Sequence, residues 1–243
     1  MKLIYFDPAC GVSGDMFAGA LLDLGLDFAG LQAAIASLGL DVTLKLADVS
    51  RYGMRARKFD VLDTATGRPS DEAEHVHRHL ADITELIERG KLSDSVKADA
   101  IAIFELIAEV EAKAHGISKA EVHFHEVGAV DAIVDIVSGA WLFNELGASK
   151  AVCGAINVGS GTVRCRHGEL AVPAPAVAEL LKGMIAYSDG IKMELATPTG
   201  VALLKHFSDS YGPLPAMTMG ACGYGAGTKE LERPNVFRIM VGN

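Results

Sequence analysis

Thirteen residues, His123-Phe124-His125-Glu126-Val127-Gly128-Ala129-Val130-Asp131-Ala132-Ile133-Val134-Asp135, hold two histidines and three carboxylates in an otherwise apolar stretch. His123 and His125 stand two apart, so an extended backbone points both to one side. Gly128 permits a turn, and residues 129–145 read as a helix. On that helix Asp131 and Asp135 share a face, which is repulsive unless a cation, a proton or a cationic ligand lies between them. Imidazole and carboxylate in this pattern suit metal binding or acid–base work, with His123, His125, Glu126 and Asp131 as the catalytic candidates and Asp135 as a further ligand. The bland alternative has solvated aspartates and histidines at the edge of a strand.

A second group lies near the start. Residues 1–7 read as a strand that leads through Cys10-Gly11-Val12-Ser13-Gly14-Asp15 into a helix reaching residue 24. Free N–H groups at a helix start favour an anion, and Gly11 and Gly14 let the backbone come close to one. Asp7 and Asp15 flank the same loop, however, and would repel a bare phosphate. A metal-bridged phosphate, or a cationic ring that carries a phosphate, resolves the conflict. The lysine and spacing of a Walker loop are missing.

His75, His77 and His79 form a third group beside the polar, flexible-reading stretch 64–75. Alternate histidines converge on one side of an extended segment, and His75 and His79 do so on a helix. Imidazole suits nickel, zinc or copper, so this is either a weak, exchangeable delivery site or the solvated entry to a helix. His167 on a tight turn, His115 near a helix end and His206 within a helix read as structural. The run Gly220-Ala221-Cys222-Gly223-Tyr224-Gly225-Ala226-Gly227 either admits a ligand or bulges an edge strand.

The elements that must position these groups follow from periodicity. Helices are expected at 28–38, 78–88, 94–114 and 175–182, with a last one opened by Thr197-Pro198-Thr199-Gly200, a hydroxyl cap followed by proline. Hairpins are expected at 42–63 around Arg51-Tyr52-Gly53 and at 163–172. Further strands fall at 151–156, 216–224 and 236–241. Hairpins mixed with strand–helix units indicate an α/β fold with a mixed sheet, helices packed around it, in one domain spanning 1–243.

Composition narrows the class. The chain has 243 residues, half of them hydrophobic, enough for a substantial core, and no apolar run long enough for a membrane span. The first residues read as a strand rather than a signal peptide. Four scattered cysteines without a CxxC pair favour a reduced, cytoplasmic setting over a disulfide framework. A net charge of −9 and no basic track exclude broad nucleic-acid binding, while acidity suits a protein that handles cations.

Taken in order, these segments resemble the N-terminal domain of the nickel insertion proteins of nickel-pincer cofactor biosynthesis, the LarC family. The resemblance is carried by Phe6-Asp7 with Gly11-Val12-Ser13-Gly14-Asp15-Met16, the run from His75 to Leu80, and His123 to Asp131. His167-Gly168 with Val172-Pro173-Ala174-Pro175-Ala176, Thr197 to Gly200, and Gly223 to Gly227 with Arg233-Pro234-Asn235-Val236 complete it. Two departures stand out: Pro8-Ala9-Cys10 replaces a frequent Cys-Phe-Ser, and the histidine run is short.

The resemblance implies insertion of Ni(II) into a pyridinium mononucleotide bearing two thiocarboxylates, a lyase-class cyclometallation that makes two Ni–S bonds and one Ni–C bond. The product is the cofactor of lactate racemase-type enzymes, whose apo form is the implied acceptor. It further implies Gly11, Ser13, Gly14, Thr197, Thr199, Gly200 and His167 on the substrate, and Asp7 and Asp15 in the catalytic set. His75, His77, His79, His123, His125, Asp131 and Asp135 are the implied metal ligands. Family members continue into a second domain that binds CTP with magnesium or manganese; that domain is expected to be absent here and to be a partner, together with a second copy of the chain. Two other classes compete: a metal-dependent hydrolase of a phosphorylated small molecule, and a nickel chaperone that carries the ion without chemistry.

Overall fold

The computed structural model describes residues 1–70, 78–124, 127–165 and 168–243. The first half runs β1 (Leu3–Asp7), α1 (Gly14–Asp23), α2 (Phe28–Ala36), β2 (Val42–Arg51), β3 (Met54–Asp63), β4 (Arg78–His79), α3 (Leu80–Arg89), α4 (Asp94–His115), β5 (His123–Phe124) and α5 (Val130–Leu146). The second runs β6 (Lys150–Cys153), β7 (Ile156–Asn157), β8 (Thr162–Cys165), β9 (Gly168–Ala171), α6 (Pro175–Leu180), β10 (Ala186–Tyr187), α7 (Pro198–Phe207), β11 (Ser210–Tyr211), β12 (Met219–Ala226) and β13 (Val236–Gly242).

Seven strands form one mixed sheet in the order β11-β6-β1-β13-β12-β3-β2. β1 is parallel to β6 and antiparallel to β13, so the α/β class with a mixed sheet holds. Three successive residues of β1, Ile4, Tyr5 and Phe6, are buried, the run expected of a strand covered on both faces. The hairpin β2–β3 keeps unbroken register from Val42↔Asp63 to Arg51↔Met54.

The main core lies between the sheet and α1, α5 and α7. Phe6, Phe17 and Phe237 meet there with ring centroids 5.5–6.2 Å apart, each wholly buried. Each such ring contributes roughly 1.5–3 kcal/mol of transfer free energy. Gly225 of β12 admits the backbone of α1, whose Met16 carbonyl stands 1.8 Å from where a Cβ would be. Gly223 and Gly225 therefore serve helix-on-sheet packing, with the bulge confined to the step between Met219 and Ala221.

Two local expectations change. Residues 78–79 are strand, not helix, because they pair with β5; α3 begins at Leu80. The described part of the 64–75 stretch closes on β3, with the Gly67 and Thr66 N–H groups donating to Asp63 and an isolated bridge between Leu62 and Pro69.

Candidate functional site

The start of α1 is tied to the segment before α7. The Val12 N–H donates to the Leu195 carbonyl at 2.9 Å, and the Thr197 N–H donates to the Val12 carbonyl at 3.0 Å. At Gly14 the α1 backbone also touches α5, where Asp135 packs against it. Three helix N-termini, those of α1, α5 and α7, thus border one cavity of about 470 Å³. Each contributes roughly half a positive charge at its first turn.

The carboxylates around this cavity come from three elements: Asp15 from α1, Asp60 from β3, and Asp131 and Asp135 from α5. Asp15 is well held. Its Oδ1 accepts from the Ser13 hydroxyl and from the Met16 N–H, and its Oδ2 accepts from Lys58 Nζ at 2.5 Å. Lys58 is buried, and also reaches Asp60 at 3.0 Å and the Phe59 carbonyl at 2.9 Å. Burial pulls its ammonium down, but Asp15 and Asp60 outweigh that and raise it above the usual lysine value.

Asp135 has no such cation of its own. Its Oδ1 has no exposed surface and no hydrogen-bond partner among the described residues. Burial, then repulsion from Asp15 and Asp131, pushes its carboxyl well above the usual aspartate range, against a smaller opposing pull from Lys58. Position on the helix explains part of this. Asp131 lies in the first turn of α5, where the dipole supports a negative charge, whereas Asp135 lies one turn deeper, where that support has faded. The cluster is thus short of positive charge at Asp135.

At the α7 start, Thr197 caps the helix by accepting from the Gly200 N–H at 3.3 Å, and its hydroxyl lies 3.0 Å from that of Thr199. Ser13, Gly14, Thr197 and Thr199 all line the cavity. Gly11 and Gly200 do not. A Cβ on Gly11 would stand 1.9 Å from the Leu195 carbonyl oxygen, and one on Gly200 would stand 2.5 Å from that of Val12, so both are needed for backbone packing. Asp7 also lies apart from the cavity wall. Register places it opposite Arg238 on β13, and the guanidinium takes it as an ion pair at 2.5 Å.

The histidines gather elsewhere. β4 pairs with β5 so that His79 stands opposite His123, their ring centroids 3.9 Å apart. His79 Nδ1 lies 3.2 Å from the Val122 carbonyl oxygen, which can only accept. The same side chain also caps α3, accepting from the Asp82 N–H while the Asp82 carboxylate accepts from the His79 N–H. Arg78 donates to the Gly128 carbonyl at 2.7 Å and fixes this pair to the turn before α5. Neither histidine is among the residues lining the acidic cavity, so His123 and Asp131 do not meet there. His75, His77, His125, Glu126 and His167 lie outside the described residues. Among the described residues no group of three or more His, Cys, Asp or Glu has the arrangement of a complete metal site.

Sequence reasoning missed Lys58, Asp60 and Glu194 at the cavity. Lys58 and Asp60, two apart on β3 and so on one side of the strand, were the available signal; Glu194 had none.

Comparison with known proteins gives a single result. Residues 4–243 match the family described as "Nickel insertion protein". The chain belongs to that family. It is 44% identical over 246 residues to the pyridinium-3,5-bisthiocarboxylic acid mononucleotide nickel insertion protein of Geobacillus kaustophilus (strain HTA426), covering all of this chain and 60% of that protein. The protein of the same name from Thermotoga sp. (strain RQ2) is 42% identical, with all of this chain and 61% of that protein covered. A putative nickel insertion protein of Rhodopirellula baltica (strain DSM 10527 / NCIMB 13988 / SH1) is 43% identical, with 99% of this chain and 60% of that protein covered. This member of the nickel insertion family therefore spans about 60% of the length of these relatives. No solved structure matches it. No helix among the described residues is long and apolar enough to cross a membrane.

Proposed function

We propose that the acidic cavity receives Ni(II) and yields it to the thiocarboxylate sulfurs of a pyridinium mononucleotide, the reaction for which the relatives are named. The observation that carries this reading is the Asp135 oxygen left without a partner beside Asp15 and Asp131, in a chain of the nickel insertion family. Carboxylate oxygens hold Ni(II) loosely and thiocarboxylate sulfur holds it firmly, so the transfer runs downhill. In this reading Asp131 and Asp135 hold the ion while Asp15, anchored by Lys58, completes the negative field.

His79 and His123 take nickel before the cavity does, since their paired imidazoles stand beside the turn that leads into α5. His75, His77 and His125 join them on the strength of sequence alone, as do Glu126 in catalysis and His167 on substrate. Ser13, Thr197 and Thr199, at two helix starts, receive an anionic group of the mononucleotide. Forming the Ni–C bond breaks a ring C–H bond. The electron pair stays on carbon and binds nickel, which remains Ni(II), and the proton passes to a carboxylate of the cluster. Asp7, committed to Arg238, is not part of this set.

CTP with magnesium or manganese is assigned by resemblance to the family's further domain, a partner of this one. The finished cofactor goes to a lactate racemase-type apo-enzyme, in the cytoplasm, and the chain self-associates. The chaperone reading is favoured by one observation, the His79–His123 pair standing apart from the carboxylates. The hydrolase reading loses its His123–Asp131 convergence.

The test is to mix the chain with nickel and the thiolated mononucleotide, with and without CTP, manganese and the family's further domain, without which insertion is expected to stay incomplete, and follow ligand mass and absorption. Nickel in the ligand, abolished by Asp131→Asn and Asp135→Asn, supports insertion. Nickel held on the protein with an unaltered ligand supports the chaperone, and release of phosphate from phosphate esters supports the hydrolase.

A further inference from the structure

A second cavity, of about 390 Å³, abuts the first. It lies between the last turn of α4, the β8–β9 hairpin and the starts of α6 and α7. Phe124, Leu170, Pro175 and Pro198 give it apolar walls, and Glu111 and Glu194 place carboxylates on it. Two features join it to the acidic cavity. Glu194 lines both, and at the α7 start Thr197 and Thr199 line the acidic cavity while Pro198 between them lines the second.

Apolar walls with an aromatic ring and carboxylates suit an organic ring cation, which gains ring contact and charge at once. A bare phosphate or an uncharged lipid chain gains only part of that. We propose that this second cavity seats the pyridinium ring of the mononucleotide, its thiocarboxylate arms reaching past Glu194 and Thr197 into the acidic cavity and its phosphate directed to Arg164 at the exposed rim. The inference rests on the functional reading above and adds an orientation to it. The ring is held by one cavity and the metal by the other, and the shared wall sets the distance over which nickel is passed. The arrangement also accommodates the ligand's mixed charge: its cationic ring meets Glu111 and Glu194, and its anionic sulfurs meet the helix starts and the nickel.

The probe is the pyridinium-3,5-dicarboxylate mononucleotide, which keeps the ring and phosphate but lacks sulfur, titrated calorimetrically into the metal-free chain. Leu170→Lys and Ala174→Trp, which set a like charge against the ring or plug the second cavity, are expected to weaken its binding at least tenfold while nickel uptake stays within twofold of native. Arg164→Ala, an exposed change that leaves folding intact, is expected to weaken it three- to tenfold. Asp131→Asn is expected to do the reverse, lowering nickel uptake and sparing the probe. Native probe binding in Leu170→Lys and Ala174→Trp, or in Arg164→Ala if those two fail to fold, overturns the seat and leaves the functional reading standing. A native chain that takes up neither nickel nor the probe overturns both.

Discussion

The carboxyl group of Asp135 occupies the space that a side chain on residue 14 would need. A Cβ placed on Gly14 would stand 2.6 Å from both the Cβ and the Oδ2 of Asp135. Gly14→Ala must therefore part α1 from α5 or turn the aspartate out of the cavity. The expected cost is about 1–3 kcal/mol of stability, as for other overpacked contacts, with a loss of nickel affinity. Urea unfolding and nickel titration check both, and an alanine variant native in each would show that the contact is not needed.

The raised carboxyl of Asp135 fixes the sign of a pH effect. Between its unfolded value of 3.8 and its folded value, the native state binds the proton that the unfolded state has released. Stability therefore falls as pH rises through that window and then stays lowered. Asp135→Asn removes the penalty, so the variant should resist urea better than native at pH 8, match it near pH 3.5, and bind nickel worse. A native-to-variant difference that is flat in pH would contradict this. Nickel uptake by the native chain should also release a proton, measurable by calorimetry in buffers of different ionisation enthalpy.

Lys58 contributes stability at neutral pH where Asp135 costs it, though both contributions fall as pH rises. Its ammonium is raised above 10.5 once Asp15 and Asp60 have outweighed burial, so its contribution is fully present through neutral pH and is lost only as pH climbs past the folded value. Lys58→Met leaves two carboxylates without their cation. Breaking a buried pair in this way costs about 3–5 kcal/mol. The deficit should shrink in acid, as the carboxylates protonate. A small, pH-independent deficit measured by urea titration would place the pair among weak surface bridges.

If His79 and His123 form one nickel-receiving pair, each alanine variant should lower loading at limiting nickel, and the double variant should lose little more than either single. The defects should vanish at excess metal, where mass action bypasses the pair. Additive defects would make them independent, and a defect that persists at saturating nickel would put them in the chemistry itself.

Asp131 and Asp135 were legible in the sequence because a spacing of four is local, and Asp15 because it opens a helix. Lys58 was not, since what makes it part of the site is a contact 43 residues away in sequence. The helices α1, α4 and α5 and the β2–β3 hairpin followed from periodicity. Strand order did not: nothing in the local pattern says that β13 lies between β1 and β12. The same hidden register bears on Asp7, because only its pairing with Arg238 across β1 and β13 shows the aspartate held in an ion pair. At Arg78–His79 a tertiary partner overrode the local helical signal, turning the end of one histidine group into the neighbour of another.

β1 sits between β6 and β13, strands supplied from residue 150 and from residue 236 onward. Because a ribosome delivers the N-terminus first, β1 waits for its second neighbour until residues 236–242 have emerged. The loop bearing Asp15 hangs from that strand, and Asn235, which closes the far wall of its cavity, immediately precedes β13. Until those residues emerge, the carboxylates of α1, β3 and α5 lack the wall that Asn235 supplies. The cavity wall is therefore finished by one of the last strands of this sheet to be made, and an avid cation meets no finished cavity on a shorter chain.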